Sequence, residues 1–306
     1  MSKPIQRTKA GTQSRPLSTS KSATREQSTV SAKWLLGAVS IAIAAALACT
    51  WVALCLMFWQ GSWQLLYHPT TSITRTPASV GIAFENVEFG PSQAGVPQLK
   101  GWWIPAAPGS RGTAIFLHGA KGNLGDTVDA LARLHAAKLN VLAFDYRGYG
   151  QSEFARPSET NLREDAESAI AYLRDTRHIA PGSLLLVGNG LGGNLALQVA
   201  AAHPELAGVV LEDPIEAPVD AIFRDSRARL VPARAMVSDR WDSSAPATKL
   251  RIPSLWLYRR INETPHDAFD RVTSRKNIVW LDRPQTQETD YADALTRWLQ
   301  ELPQMK

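Results

Sequence analysis

Apolar and polar positions alternate over residues 83–89 (Ala-Phe-Glu-Asn-Val-Glu-Phe), the period of a half-buried strand. Residues 98–105, QLKGWWIP, read as its partner across a Pro- and Gly-containing loop. Beyond them, short apolar runs take turns with amphipathic stretches. The pattern predicts strands over 113–117, 140–145, 183–187, 207–211, 253–258 and 277–281. It predicts helices over about 124–138, 158–176 with Ser158 as cap, 194–200, near 216–230, near 264–276, and 290–301. Short runs buried on both faces and separated by helices imply an α/β fold with a mainly parallel sheet, covered on both sides and edged by the antiparallel pair. About 225 residues suffice for one such domain, and no internal repeat is visible.

A different pattern precedes this. From Trp34 to Trp59 there are 26 residues without a charge, and only Ser40 and Thr50 are clearly polar. About 20 apolar residues at ~1.5 Å each cross a ~30 Å hydrocarbon layer, and Trp34 and Trp59 stand where indole rings favour the headgroup zone. The run exceeds a signal-peptide core and has no convincing cleavage site, so an uncleaved transmembrane helix over 34–59 is expected.

The charge distribution supports this division. The net charge is +5, but residues 1–33 carry seven Lys or Arg against Glu26 alone, which is 7 − 1 = +6. The remainder has 26 basic and 27 acidic residues, a balance of −1, so no nucleic-acid partner is expected. Basic residues on the amino side alone place the N-terminus in the cytoplasm and the C-terminal part outside, periplasmic or extracellular. With seven Ser, five Thr and no apolar period, the tail over 1–33 is expected to be disordered. Cys49 and Cys55, the only cysteines, both lie inside the span, so the exported part has no disulfide and no cysteine-ligated metal.

Three segments carry a family resemblance: FLHGAKGN (116–123), FDYRGYGQS (144–152) and VGNGLGGN (187–194), each following a predicted buried strand. With LLYHP (65–69) beside the membrane run, the chain resembles the α/β-hydrolase fold superfamily. Within it, the resemblance is to membrane-tethered bacterial hydrolases of the serine-aminopeptidase-like or esterase-like group, over about residues 63–300. It implies three parts: a cytoplasmic tail over 1–33, a transmembrane helix over 34–59 and an extracytoplasmic α/β-hydrolase domain over 60–306.

That fold's chemistry needs Ser on the strand–turn–helix elbow, an acid after a late strand and His after the last. Here the elbow reads GNGLG, and its central residue is Gly190. The acid position of the relatives is Ile261, and no histidine follows His266. The triad is therefore expected to be degenerate. What the resemblance leaves of the site is backbone, namely the N–H groups of Ala120 and Leu191 at the oxyanion positions. Glycine at the elbow also relieves a backbone conformation costing about 1–3 kcal/mol for other residues.

Substitute chemistry has few candidates. Glu263 and Asp213 are possible displaced acids, and His266 is the histidine placed nearest the mouth by the sequence. His118 and His203 read as structural, His68 and His135 as juxtamembrane and helix-surface residues. Six dispersed histidines give no metal-ligand spacing, and the glycine runs lack the Gly-Lys-Ser/Thr of a phosphate loop. No cofactor or metal is expected. The leading expectation is an inactive binding or scaffold module on the membrane, taking an envelope protein or a small acyl or carboxylate ligand. Its rivals are a membrane-bound esterase or peptidase with a displaced constellation, and a structural subunit docking through Trp59, Trp63, Trp102 and Trp103.

Overall fold

The computed structural model describes residues 30–93, 96–106, 108–259, 267–281 and 287–302. The chain divides into two compact units, Met1–Thr50 and Trp51–Lys306. Helix α1, Ala32–Gly61, begins in the first and ends in the second. It is long and apolar enough to cross a membrane, and its large side chains are mostly exposed, Trp34 at 65% and Leu47 at 66%.

The second unit is built on an eight-stranded sheet among the described residues. In chain order the strands are β1 (Glu85–Gln93), β2 (Val96–Ile104), β3 (Gly112–Leu117), β4 (Leu139–Asp145), β5 (Leu184–Asn189), β6 (Gly208–Glu212), β7 (Ser254–Tyr258) and β8 (Lys276–Trp280). Their spatial order is β8-β7-β6-β5-β3-β4-β2-β1. The pairs β1–β2 and β2–β4 are antiparallel and the rest parallel, so the expected antiparallel edge is present. The central strands are continuous apolar runs because both faces are covered: Ile115, Leu142, Leu186 and Val210 are fully buried. Each such side chain contributes on the order of 1.5–3 kcal/mol.

Helices α2 (Val128–Ala136), α3 (Glu159–Ala171), α4 (Leu191–Ala202) and α9 (Gln287–Gln300) cover the faces, with shorter α5 (Asp220–Phe223), α6 (Ala233–Met236), α7 (Ser244–Lys249) and α8 (Asp267–Arg271) in connections. Ser158 caps α3 as expected, its hydroxyl accepting from the Asn161 N–H. Two expectations are refined. The helical segment near 216–230 is present but broken into α5 and a 3₁₀ turn at Ser226–Arg229, because the Asp225 carboxylate accepts from the Arg227 N–H and starts a new turn. Helix α2 ends at Ala136, where Lys138 takes φ 64°.

The proposed docking tryptophans are corrected. Trp102 and Trp103, adjacent on β2, point to opposite faces of the sheet and are 4% and 8% exposed in two separate core clusters. They are core residues and offer no docking surface.

Candidate functional site

The strand order reverses direction at β3. From β3 the chain goes to β4 on one side, and β5 then takes the other side. In open α/β sheets the crevice beyond the carboxyl ends of such strands is where ligands sit. Leu117 at the end of β3 is in register with Gly188 near the end of β5, so the loop after β3 and the elbow after β5 emerge together. A Cβ on Gly119 would lie 3.4 Å from the Asn189 carbonyl oxygen, an approach of two loops that their separation in sequence hides.

At the elbow, Gly190 takes φ 55° and ψ −122°, a conformation that side-chain-bearing residues rarely adopt. Its N–H donates to the Glu212 carbonyl at 2.8 Å, and its carbonyl accepts from the Gly193 N–H at 2.9 Å. A Cβ built on Gly190 meets nothing within 4 Å, so the position faces open space. Gly192 has the opposite reason for being glycine, since a Cβ there would lie 2.0 Å from the Leu117 carbonyl oxygen. This close approach presses the start of α4 against the loop after β3. Leu191 is the first residue of α4, and its N–H belongs to the orphan donors of a helix N-terminus.

The Ala120 segment is held from its other side. The Ala120 carbonyl accepts from the His68 N–H at 2.8 Å and from the Tyr149 hydroxyl at 2.9 Å. His68 and Lys121 are paired in a short parallel ladder. A cleft of about 540 Å³ opens here, lined by Leu66, His68, Ala120, Lys121, Ile215 and Pro218 among others. His68 is thus an exposed residue lining the cleft beside Ala120, which the sequence reading assigned only to the juxtamembrane stretch. The two-residue ladder that brings it there has no periodic signal to reveal it.

Asp213 lies where the sequence placed it, just after β6, with φ 43°. Its carboxylate accepts from the Arg259 backbone N–H and from the Arg259 guanidinium, both at 2.8 Å. The same guanidinium reaches Glu212 Oε2 at 2.9 Å. Glu212 is 1% exposed, and its other oxygen accepts from the Tyr291 hydroxyl at 2.7 Å. Burial, then the Glu212 charge, pushes the Tyr291 phenol well above its ordinary value, so it stays a donor. A satisfied ionic cluster of Glu212, Asp213, Arg259 and Tyr291 therefore occupies the carboxyl ends of β6 and β7. The sequence reading missed Glu212, Arg259 and Tyr291. The one available signal was Glu212, an acid ending an otherwise apolar strand.

His118 and His203 lie in structural settings. His118 is 1% exposed, in ring contact with Tyr146 and Tyr149, with Nδ1 at 2.8 Å from the Gly119 carbonyl. Burial pulls its pKa down to about 4. His203 ends α4 between Glu205 and Glu167, each at 2.7 Å; burial pulls its pKa down, but these two hydrogen bonds outweigh it and the net shift is upward. Glu263 and His266 lie outside the described residues, as does the acid position Ile261. Among the described residues no group of three His, Cys, Asp or Glu is arranged to hold a metal ion.

Comparison with known proteins agrees with this architecture. The sequence profile of the alpha/beta hydrolase family matches residues 114–305. An uncharacterized protein of Mycobacterium tuberculosis, Rv2307c, is 30% identical over 205 residues, 65% of this chain and 69% of that one. Alpha/beta hydrolase domain-containing protein 17C of Xenopus tropicalis is 32% identical over 126 residues, 41% of this chain and 40% of its own. Among solved structures, the esterase Pf2001 of Pyrococcus furiosus superimposes with a TM-score of 0.58 at 18% identity, over 76% of this chain and 98% of the esterase. The last likeness concerns the fold alone.

Proposed function

The chain belongs to the alpha/beta hydrolase family, and from that premise we propose that it is a membrane-anchored member that binds without cleaving, holding a small acyl or carboxylate ligand or an envelope partner at the crevice between the β3 loop and the elbow. The observation that carries this reading is Gly190. The elbow keeps its backbone conformation and its open space, but the residue there has no atom to attack a carbonyl. The ionic cluster supports it, since Asp213 is engaged by Arg259 and Glu212 by Arg259 and Tyr291. What the elbow retains is a helix N-terminus beside the Ala120 loop, suited to an anionic or carbonyl oxygen. Helix α1 supplies the anchor, with the N-terminus inside and the body outside the cytoplasmic membrane.

His68 favours a second reading, a hydrolase with a displaced constellation, because it places an imidazole on the same cleft as Ala120. The two readings separate in one experiment on the detergent-solubilised full chain: a fluorophosphonate probe and a panel of short acyl esters, with Gly190→Ser in parallel. The binding reading expects no labelling or turnover above a heat-killed control from either protein. Turnover by the unmodified chain overturns it. Activity only after Gly190→Ser, lost again with His68→Ala, would identify His68 as a usable base and sink the view that acyl-transfer machinery is gone.

A further inference from the structure

The segment Asp220–Met236 carries no motif; its first turn lines the cleft beside Ala120 with Asp220, Ala221 and Arg224, and the rest of it packs against the last turns of α1. The Trp51 indole N–H donates to the Leu230 carbonyl at 3.2 Å. Arg227, Leu230 and Val231 share a cleft of about 120 Å³ with Leu54, Met57 and Phe58. Trp51 is eight residues before Trp59 in the charge-free run, which is about 12 Å along a helix axis. A chain segment bonded at that level lies beside the apolar part of α1.

Two features of the segment suit that depth. Leu230 exposes 60% of its surface, while its backbone is satisfied: its N–H donates to the Arg227 carbonyl and its carbonyl accepts from Trp51. An apolar side chain outward with both main-chain groups paired is what hydrocarbon demands and water does not. Around it stand Arg224, Arg227, Arg229 and Arg234 against Asp220 and Asp225, a local balance of 4 − 2 = +2. Arg224 and Arg227 pair with those two acids, whereas Arg229 and Arg234 are exposed and in no ion pair among the described residues. Arginine stems reach along apolar surface while their heads stay among phosphates.

We propose that Asp220–Met236 is a second membrane contact, with Leu230 buried in the acyl-chain region beside α1 and the arginines bound to anionic phospholipid headgroups. This rests on α1 spanning the bilayer. It ties the connection after β6, which borders the candidate crevice through Ile215 and Pro218, to the lipid surface, so a lipid-borne ligand would reach the site without crossing water.

The test uses the full chain with Cys49→Ala and Cys55→Ala, reconstituted into nanodiscs of phosphatidylcholine with or without about one-third phosphatidylglycerol. A fluorophore is attached at Leu230→Cys, at Leu47→Cys in α1, or at Val96→Cys, the exposed first residue of β2, and quenched by doxyl groups on the lipid chains. The expected result is strong quenching at 47, at least half as much at 230, and none at 96. Arg227→Glu with Arg229→Glu and Arg234→Glu should lower quenching at 230 twofold or more, only in the anionic discs. Quenching at 47 with a 230 signal like that at 96 overturns the contact and leaves the anchor standing. No quenching at 47 overturns the anchor and the contact with it. A label at 230 shielded from both aqueous iodide and lipid doxyl groups also overturns it, showing that protein covers the segment.

Discussion

The Arg259 guanidinium holds the buried carboxylate of Glu212 at 2.9 Å and that of Asp213 at 2.8 Å, and so fastens the ends of β6 and β7 together beside the elbow. Removing it strands a carboxylate that is 1% exposed. Arg259→Met should therefore destabilise the domain toward the low end of the roughly 3–5 kcal/mol seen when a buried pair is broken, because Arg259 is itself 32% exposed. Urea unfolding in detergent followed by tryptophan fluorescence measures it. A loss below about 1 kcal/mol would mean that Tyr291 and the Asn189 amide satisfy Glu212 without Arg259.

Two glycines of the elbow should respond differently to the same change. Gly190→Ala adds a methyl group to open space and incurs only the strained positive-φ backbone, about 1–3 kcal/mol. Gly192→Ala drives a Cβ into the Leu117 carbonyl, where backbone must move, and should cost about 3 kcal/mol or more. Thermal midpoints of the two variants decide the order. If Gly190→Ala were the more damaging, the crevice above it would be filled.

Acid dependence should centre on His118 and Asp145, whose Nε2 and Oδ1 are 3.8 Å apart with both side chains 1% exposed. Burial lowers the His118 pKa from 6.5 to about 4, so its contribution is present above pH 6.5 and is lost as pH falls through 4. Burial raises the Asp145 pKa from 3.8 to about 7, so its contribution is present below pH 3.8 and is lost as pH rises through 7. The two slopes oppose one another across the window they share. Asp145→Asn removes the second slope and keeps an acceptor for the Leu124 N–H. Stability of that variant should climb between pH 4.5 and 6.5 by about 1 kcal/mol or more relative to the unmodified chain. Parallel profiles for the two proteins would show that Asp145 is ionised in the fold throughout.

Asn194 ties the elbow helix to the connection after β6. It is 1% exposed, donates to the Ile215 carbonyl and the Ser243 hydroxyl, and accepts from the Ile215 N–H. Asn194→Ala should cost roughly 2–3 kcal/mol and speed amide exchange over 215–217, with β3 and β5 unaffected. Unchanged exchange there would show that Pro214 and Pro218 hold the connection by themselves.

Much of this architecture was readable from the chain. The strands were found because β3 to β7 are apolar runs bounded by turn residues, and the Ser158 cap because capping chemistry is local. The long helix was found because hydrocarbon thickness sets a length that few other constraints imitate. Gly190 at the elbow was visible because strand, turn and helix are adjacent in sequence. The helical segment near 216–230 is broken in two because the Asp225 carboxylate accepts from the Arg227 N–H, a competition that periodicity does not register. Trp102 and Trp103 were misread because residues adjacent on a doubly covered strand are both buried, on opposite faces.

By itself, the sequence determined which segments are strands, which stretch is long and apolar enough for a membrane, and that glycine stands at the centre of the elbow: each follows from neighbours along the chain. Only the tertiary structure decided that Arg259 meets Glu212 and Asp213, that His68 lies beside Ala120, and that Leu230 rests against Trp51. Those pairs are 46 to 179 residues apart or joined by a two-residue ladder, and their meeting is set by strand order and packing, which leave no periodic trace in the order of residues.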